Sequence, residues 1–131
     1  MKIRRALGIA GLVATTMAQG SAANLIAGYR DLGAGPFSQD EGRAAWVQEH
    51  RPSGQSDTRS CASCHGTDVT QPGRHVKTGK SIEPMALSVN PQRLTDPQKA
   101  EKWFRRNCRW TLGRECTAQE KGDFIQFIIS Q

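Results

Sequence analysis

The sequence predicts an all-α fold of four to five short helices in one small domain. Two observations carry that expectation. Leu25, Tyr29 and Leu32 fall at i, i+4 and i+7, the stripe of an amphipathic helix. Three later segments open with helix-start chemistry: Ser38 with Glu41, Thr95-Asp96-Pro97, and Thr117 with Glu120. No sheet is expected, and at 131 residues the chain has room for one domain.

The first residues stand apart from that domain. Lys2, Arg4 and Arg5 form a positive start, Ala6 to Met17 is apolar and uncharged, and Ser21-Ala22-Ala23 is a small-residue cleavage site. That is the pattern of a secretory signal peptide, residues 1–23. The apolar run is shorter than the ~20 residues of a membrane span, so the mature protein is expected not to cross a membrane. The domain is then 24–131 and its compartment the periplasm. The chain holds 18 basic and 12 acidic residues; cleavage removes three basic ones and leaves a net charge near +3. A nearly balanced, exported chain is not expected to bind nucleic acid.

The elements follow in order. The first helix is expected from about Ala23 to Leu32 and is broken by Gly33 to Pro36. Ser38 caps a second helix to about Glu49, presenting Ala45 and Trp46. Residues 50–60 are a polar loop with Pro52 and Gly54. Residues 66–92 hold Pro72-Gly73, Gly79, Pro84 and Pro91 and no lasting period, so they read as a loop, long enough to be functional. Thr95-Asp96-Pro97 starts a helix expected to reach about Arg106, with Ala100, Trp103 and Phe104 apolar. Thr117 and Glu120 open the last helix, which carries Phe124, Phe127 and Ile128 on one face with Ile125 and Ile129 beside it.

Between the second helix and the long loop lies Cys61-Ala62-Ser63-Cys64-His65. Two cysteines three apart, followed at once by histidine, is the attachment pattern of haem c. On one helical turn the two thiols reach the two vinyl groups of one porphyrin, and the histidine imidazole meets the iron. A thioredoxin-like pair would need a βαβ surround, and no buried β-rich run flanks the motif. A zinc site would need two more ligands at short spacing, and Cys108 and Cys116 are too far apart for that. The domain is therefore a small cytochrome c-like one around a single covalent haem. Its modest apolar content makes the porphyrin part of the core.

Cys61 and Cys64 are taken by the haem. Cys108 and Cys116 remain, an even pair in an oxidising compartment, so a disulfide is expected. Its nine-residue loop constrains the unfolded chain by roughly 2.5 kcal/mol on the chain-entropy model.

His65 supplies one axial ligand, and the other decides function. Met85, 20 residues later in a proline-bordered loop, would give a His/Met electron carrier or else fill a gap at the haem edge. His50 and His75 would give a bis-histidine iron, yet both lie in polar surroundings. Asn107 ends the expected third helix, where asparagine serves as a C-cap. By spacing, Met85 ranks first.

Several stretches resemble a known family: Leu25-Ile26-Ala27-Gly28-Tyr29, Cys61 to Gly66 with Asp68-Val69-Thr70, Thr78-Gly79-Lys80, Thr95-Asp96, and Glu101-Lys102-Trp103. To these add Arg106-Asn107-Cys108, Gly113-Arg114 and Cys116-Thr117. Together they are similar to the sphaeroides haem protein family, monohaem cytochromes c with an oxygen-binding member and a relative, cytochrome c-double-prime. The likeness covers the mature chain. The Arg-Asn-Cys segment and small disulfide loop are its specific parts.

In the oxygen-binding member, the asparagine just before the first disulfide cysteine ligates ferric iron, and Asn107 matches it. Cytochrome c-double-prime has histidine there. Met85 stands where the oxygen-binding member has leucine. The resemblance thus implies Asn107 as distal ligand, ahead of Met85. It implies oxygen or nitric oxide binding on ferrous iron, with electrons from a dihaem cytochrome c.

An amide oxygen is a hard, weak donor that ferric iron tolerates better than ferrous iron, so reduction should loosen it. The alternatives are a plain His65/Met85 electron carrier and, third, an oxidoreductase of small nitrogen or oxygen species. No general acid or base is evident beside the iron except His75. Lys99, Lys102, Arg105, Arg106, Arg109 and Arg114 form a basic cluster that would steer an acidic redox partner or else serve as a solvated face.

Overall fold

The computed structural model describes residues 16–131. The elements are α1 Thr16–Asp31, α2 Gln39–Val47, α3 Ala62–His65, β1 Gly73–Arg74, β2 Ser81–Ile82, α4 Pro97–Leu112 and α5 Ala118–Ile129. Five helices carry the fold, as the pattern of caps and stripes required.

α5 is the hub. Phe124, Ile125, Phe127 and Ile128 are all nearly inaccessible, so both its sides are covered. Ile125 faces Leu25, Ile26 and Tyr29 of α1, while Phe124, Phe127 and Ile128 face Trp46 of α2. Each such side chain contributes about 1.5–3 kcal/mol by leaving water. α2 crosses α5 at Gly42, where a Cβ would lie 2.0 Å from the Asp123 carbonyl oxygen. Asp123 Oδ1 also accepts from the Ser38 amide at 2.8 Å, so α2 starts on α5.

The caps form largely as read. Ser38 accepts from the Glu41 amide, and Thr117 and Glu120 exchange both bonds of a capping box. In α4 the cap is Asp96, which accepts from the Lys99 amide; the Thr95 hydroxyl donates to the Gln92 carbonyl instead.

Four expectations change. α1 starts at Thr16 and runs through Ser21-Ala22-Ala23, with Ala22 buried against Leu25 and Ile125 and the Ser21 hydroxyl on the Thr95 carbonyl at 2.8 Å. Residues 1–15 of the expected signal peptide lie outside the described residues. Leu32 is 77% exposed, because the helix ends at Asp31 and its place is taken by Ile26.

The long loop is not wholly irregular. Gly73 pairs with Ile82 and Arg74 with Ser81 in a two-residue antiparallel ladder. Turn chemistry rather than apolar alternation holds it: His75 Nδ1 accepts from the Lys77 and Thr78 amides, and Arg74 donates to the Gly79 carbonyl. Finally, α4 continues past Arg106 to Leu112. Nothing breaks the helix before Gly113, which adopts φ 76° and caps it.

One polar knot ties three helices. Tyr29 donates to Glu101 Oε1, and Lys121 Nζ donates to Glu101 Oε2 at 2.7 Å. Burial, then the bond to Glu101, pushes the Tyr29 phenol above its usual range. Burial opposes the charge on Glu101, but the bonds from Lys121 and Tyr29 outweigh it and hold the carboxyl below its ordinary range.

Candidate haem site

The attachment motif forms one helical turn. Cys61 precedes α3, and the His65 amide donates to the Cys61 carbonyl at 3.0 Å. Gly66 ends the turn at φ 74°, a conformation that suits glycine. Cys61 and Cys64 are both free thiols, half-buried. The β1 backbone closes on the turn from behind: a Cβ on Gly73 would lie 2.2 Å from the Cys64 carbonyl oxygen.

His65 sits against Trp46, ring centroids 5.4 Å apart, and Trp46 Nε1 donates to the Gly66 carbonyl at 2.9 Å. Burial, reinforced by the charge of Arg93, pulls the imidazole down to about 4, so the ring is neutral at ordinary pH. Neutral imidazole is the form that ligates metal. His65 Nδ1 is the one buried side-chain nitrogen or oxygen among the described residues without a hydrogen bond. With Nδ1 turned into the protein, Nε2 is the nitrogen left to reach a metal. Partly exposed apolar groups, Ala62, Met85, Leu87, Leu94 and Phe104 among them, flank the core cluster around Trp46. Two unpaired thiols on one turn, a neutral buried imidazole and an apolar flank together fit a haem c.

Sequence reasoning passed over Arg93. Its Nε donates to the Pro84 carbonyl at 3.0 Å and Nη2 to the Glu83 carbonyl at 2.7 Å. Met85 follows, its amide on the Val69 carbonyl at 3.0 Å. The 83–86 segment is thus tied to Arg93, whose charge acts on His65. Only the spacing of Met85 was visible in the sequence; this fold-back was not.

Asn107 is exposed, in the interior of α4 and not at its end, and its amide makes no hydrogen bond among the described residues. Cys108, next to it, is buried and paired with Cys116, Cα–Cα 5.6 Å. The C-cap role expected of Asn107 belongs to Gly113. The structure gives no direct contact between Asn107 and His65. His50 pairs through its backbone with Arg59. His75 has its Nδ1 occupied by two turn amides, which puts the proton on Nε2 and removes that lone pair from metal binding.

The basic cluster divides. Arg109 and, more loosely, Arg105 meet Glu115, and Arg114 meets Glu120. Lys99, Lys102 and Arg106 line a shallow cleft with Trp103, over which Arg106 lies at 5.5 Å.

A family described as a domain of unknown function, DUF1924, matches residues 33–128. The chain is 43% identical over 111 residues to the cytochrome c-type protein SHP of Cereibacter sphaeroides, covering 85% of this chain and 84% of that one. The chain belongs to the SHP family of monohaem cytochromes c. Like its relatives in that family it carries one covalently attached haem c. The solved structure of oxidised SHP, an oxygen-binding cytochrome c, superposes with a TM-score of 0.74 at 40% identity, covering 84% of this chain and 96% of that one. Oxidised cytochrome c'' from Methylophilus methylotrophus superposes at 0.75 with 28% identity, covering 86% and 95%. No helix among the described residues is long and apolar enough to cross a membrane.

Proposed function

We propose that this SHP-family cytochrome is an exported, periplasmic protein that binds a diatomic gas, O2 or NO, through a displaceable distal ligand, Asn107. In this reading Cys61 and Cys64 hold the haem and His65 is the proximal ligand. The observation that carries it is the contrast between Asn107 and Met85. Met85 is half-buried against the Trp46 cluster, in a segment that Arg93 holds by the Glu83 and Pro84 carbonyls. Asn107 offers an exposed amide with no competing partner among the described residues, on backbone anchored by buried Cys108. The bound haem supplies an iron that changes oxidation state and accepts axial ligands.

The protein's own contribution is a weak ligand. The Asn107 carbonyl oxygen is hard, matched to ferric and mismatched to ferrous iron. The neighbouring disulfide keeps the backbone in place when the side chain leaves. The enzyme reading loses support, since the one candidate base, His75, is engaged in its turn. Electrons would come from an acidic redox partner, a dihaem cytochrome c on the family resemblance, steered by Lys99, Lys102 and Arg106, the cluster members without a carboxylate partner among the described residues.

The test is absorption spectroscopy of the holoprotein, ferric and then ferrous without air, before and after CO. A high-spin ferrous form that takes up CO at once, with a ferric spectrum altered in Asn107→Ala, is the expected result. A low-spin ferrous form indifferent to CO, with a methionine charge-transfer band in the ferric state, would establish the His65/Met85 carrier instead.

A further inference from the structure

Arg59 is a charge in an unusual place. Its side chain is only 8% exposed, where arginine is rarely found unless paired. All three guanidinium nitrogens are used. Nε and Nη2 donate to Asp57, Nη2 donates to Gln55 Oε1 at 2.6 Å, and Nη1 donates to the Trp110 carbonyl at 3.1 Å. The group also lies over the Trp110 indole, 4.5 Å from its centroid. The Arg59 backbone is fixed too, exchanging two 2.8 Å bonds with His50.

The two ends of this contact matter. Arg59 stands two residues before Cys61, on the strand of chain that delivers the haem-attachment turn. Trp110 stands three residues after Asn107, in the last turn of α4. Carbonyls there lack partners within the helix, and a cation suits that end of the helix dipole. Among the described residues, the Arg59–Trp110 bond is the one hydrogen bond joining residues 59–66 to α4. A haem fixed at Cys61 and Cys64 and an amide carried at position 107 are therefore referred to each other through Arg59.

We propose that Arg59 is a positioning residue for the distal ligand: by clamping the end of α4 to the attachment segment, it sets how firmly Asn107 holds the ferric iron. This rests on the reading of Asn107 as that ligand. Without the clamp, α4 gains freedom relative to the attachment turn and Asn107 competes less well with an added ligand.

The experiment is an optical titration of ferric holoprotein with imidazole, which competes for the distal position. Four proteins are compared, wild type, Arg59→Gln, Asn107→Ala and the double variant, with thermal unfolding recorded for each. Losing a hydrogen bond from a charged group weakens a contact enough to tighten imidazole binding about tenfold in Arg59→Gln. In the N107A background the same substitution should leave imidazole affinity unchanged, although the Tm falls in both.

A purely structural Arg59 would lower Tm and shift affinity equally, or not at all, in the two backgrounds; either result overturns the proposal. If Asn107→Ala itself changes neither spectrum nor affinity, the ligand assignment fails instead, and the proposal with it. Should Arg59→Gln not assemble, Arg59→Lys carries the comparison. It keeps one donor and the charge, so its shift should be smaller and again absent in the N107A background.

Discussion

Trp46 and Gly66, 20 residues apart, are joined by a 2.9 Å bond from the indole Nε1 to the glycine carbonyl. Together with the 5.4 Å packing of Trp46 on His65, this makes α2 the brace of the attachment turn. Trp46→Phe keeps most of the packing but strands the Gly66 carbonyl. It should cost about 1–3 kcal/mol in denaturant unfolding of the holoprotein. Trp46→Ala adds a cavity and should cost about 3–5 kcal/mol. Equal losses in the two variants would mean the bond carries the whole effect and the packing none.

The Tyr29–Glu101–Lys121 knot should behave as a unit. Tyr29→Phe removes a bond to a charged group, worth about 1.5–3 kcal/mol. Combined with Lys121→Met, the two losses should differ from their sum by at least about 0.5 kcal/mol. Simple additivity in a double-mutant cycle would dissolve the network into separate contacts.

Glu120 gives a pH signature. The bond from Arg114 and the capping bonds hold its carboxyl at about 2 in the folded protein against an ordinary 4.5. A depressed folded value stabilises above pH 4.5, and that contribution is lost as pH falls from there toward 2. Arg114 is half-exposed, so the amount is within about 1 kcal/mol. Arg114→Gln should lower the Tm modestly at pH 7, where the contribution is present, change it little near pH 2, and so flatten the acid side of the Tm–pH curve. A wild-type slope retained in the variant would assign the acid sensitivity elsewhere.

Gly42→Ala should be far worse than its single methyl suggests. Its Cβ would meet backbone, the Asp123 carbonyl, rather than a yielding side chain. Overpacking of that kind costs about 1–3 kcal/mol or more. α2 must lift from α5, and with it Trp46 from His65. A Tm within error of wild type would show that the crossing has slack.

Met85→Leu preserves volume at a half-buried site and should cost less than about 1.5 kcal/mol. The ferric spectrum should not change, because the Met85 side chain is engaged in packing against the Trp46 cluster. A lost charge-transfer band on this substitution would return methionine to the iron.

What was legible in the chain is local chemistry. The bonds of Thr117 with Glu120 lie within three residues, and the Cys61–His65 motif fits one turn, so neither needed the rest of the fold. What escaped is chemistry closed over distance. The partner of Arg59 is 51 residues away, and only the folded chain shows that its charge is satisfied. Arg93 reaches back to Glu83 and Pro84 by a chain reversal that leaves no period. The sequence points to an end of α4 near Arg106, since Cys108 reads as the start of a disulfide loop, yet a disulfide cysteine sits as readily inside a helix, and Gly113 is the stop. The β ladder leaves no alternating side-chain pattern: it is two residue pairs long, and its turn is closed by backbone N–H groups on the His75 ring.

A helix interior has no hinge. Asn107 is carried by unbroken helix, with the buried Cys108 beside it and the Arg59 clamp at Trp110. Its amide can leave any bound position only by turning about its own side-chain bonds. For an exposed side chain such turns take picoseconds to nanoseconds, against microseconds or longer for collective movement of larger elements. The time the site stays closed is then governed by the strength of one bond to the amide, and the backbone keeps the ligand within immediate reach of return.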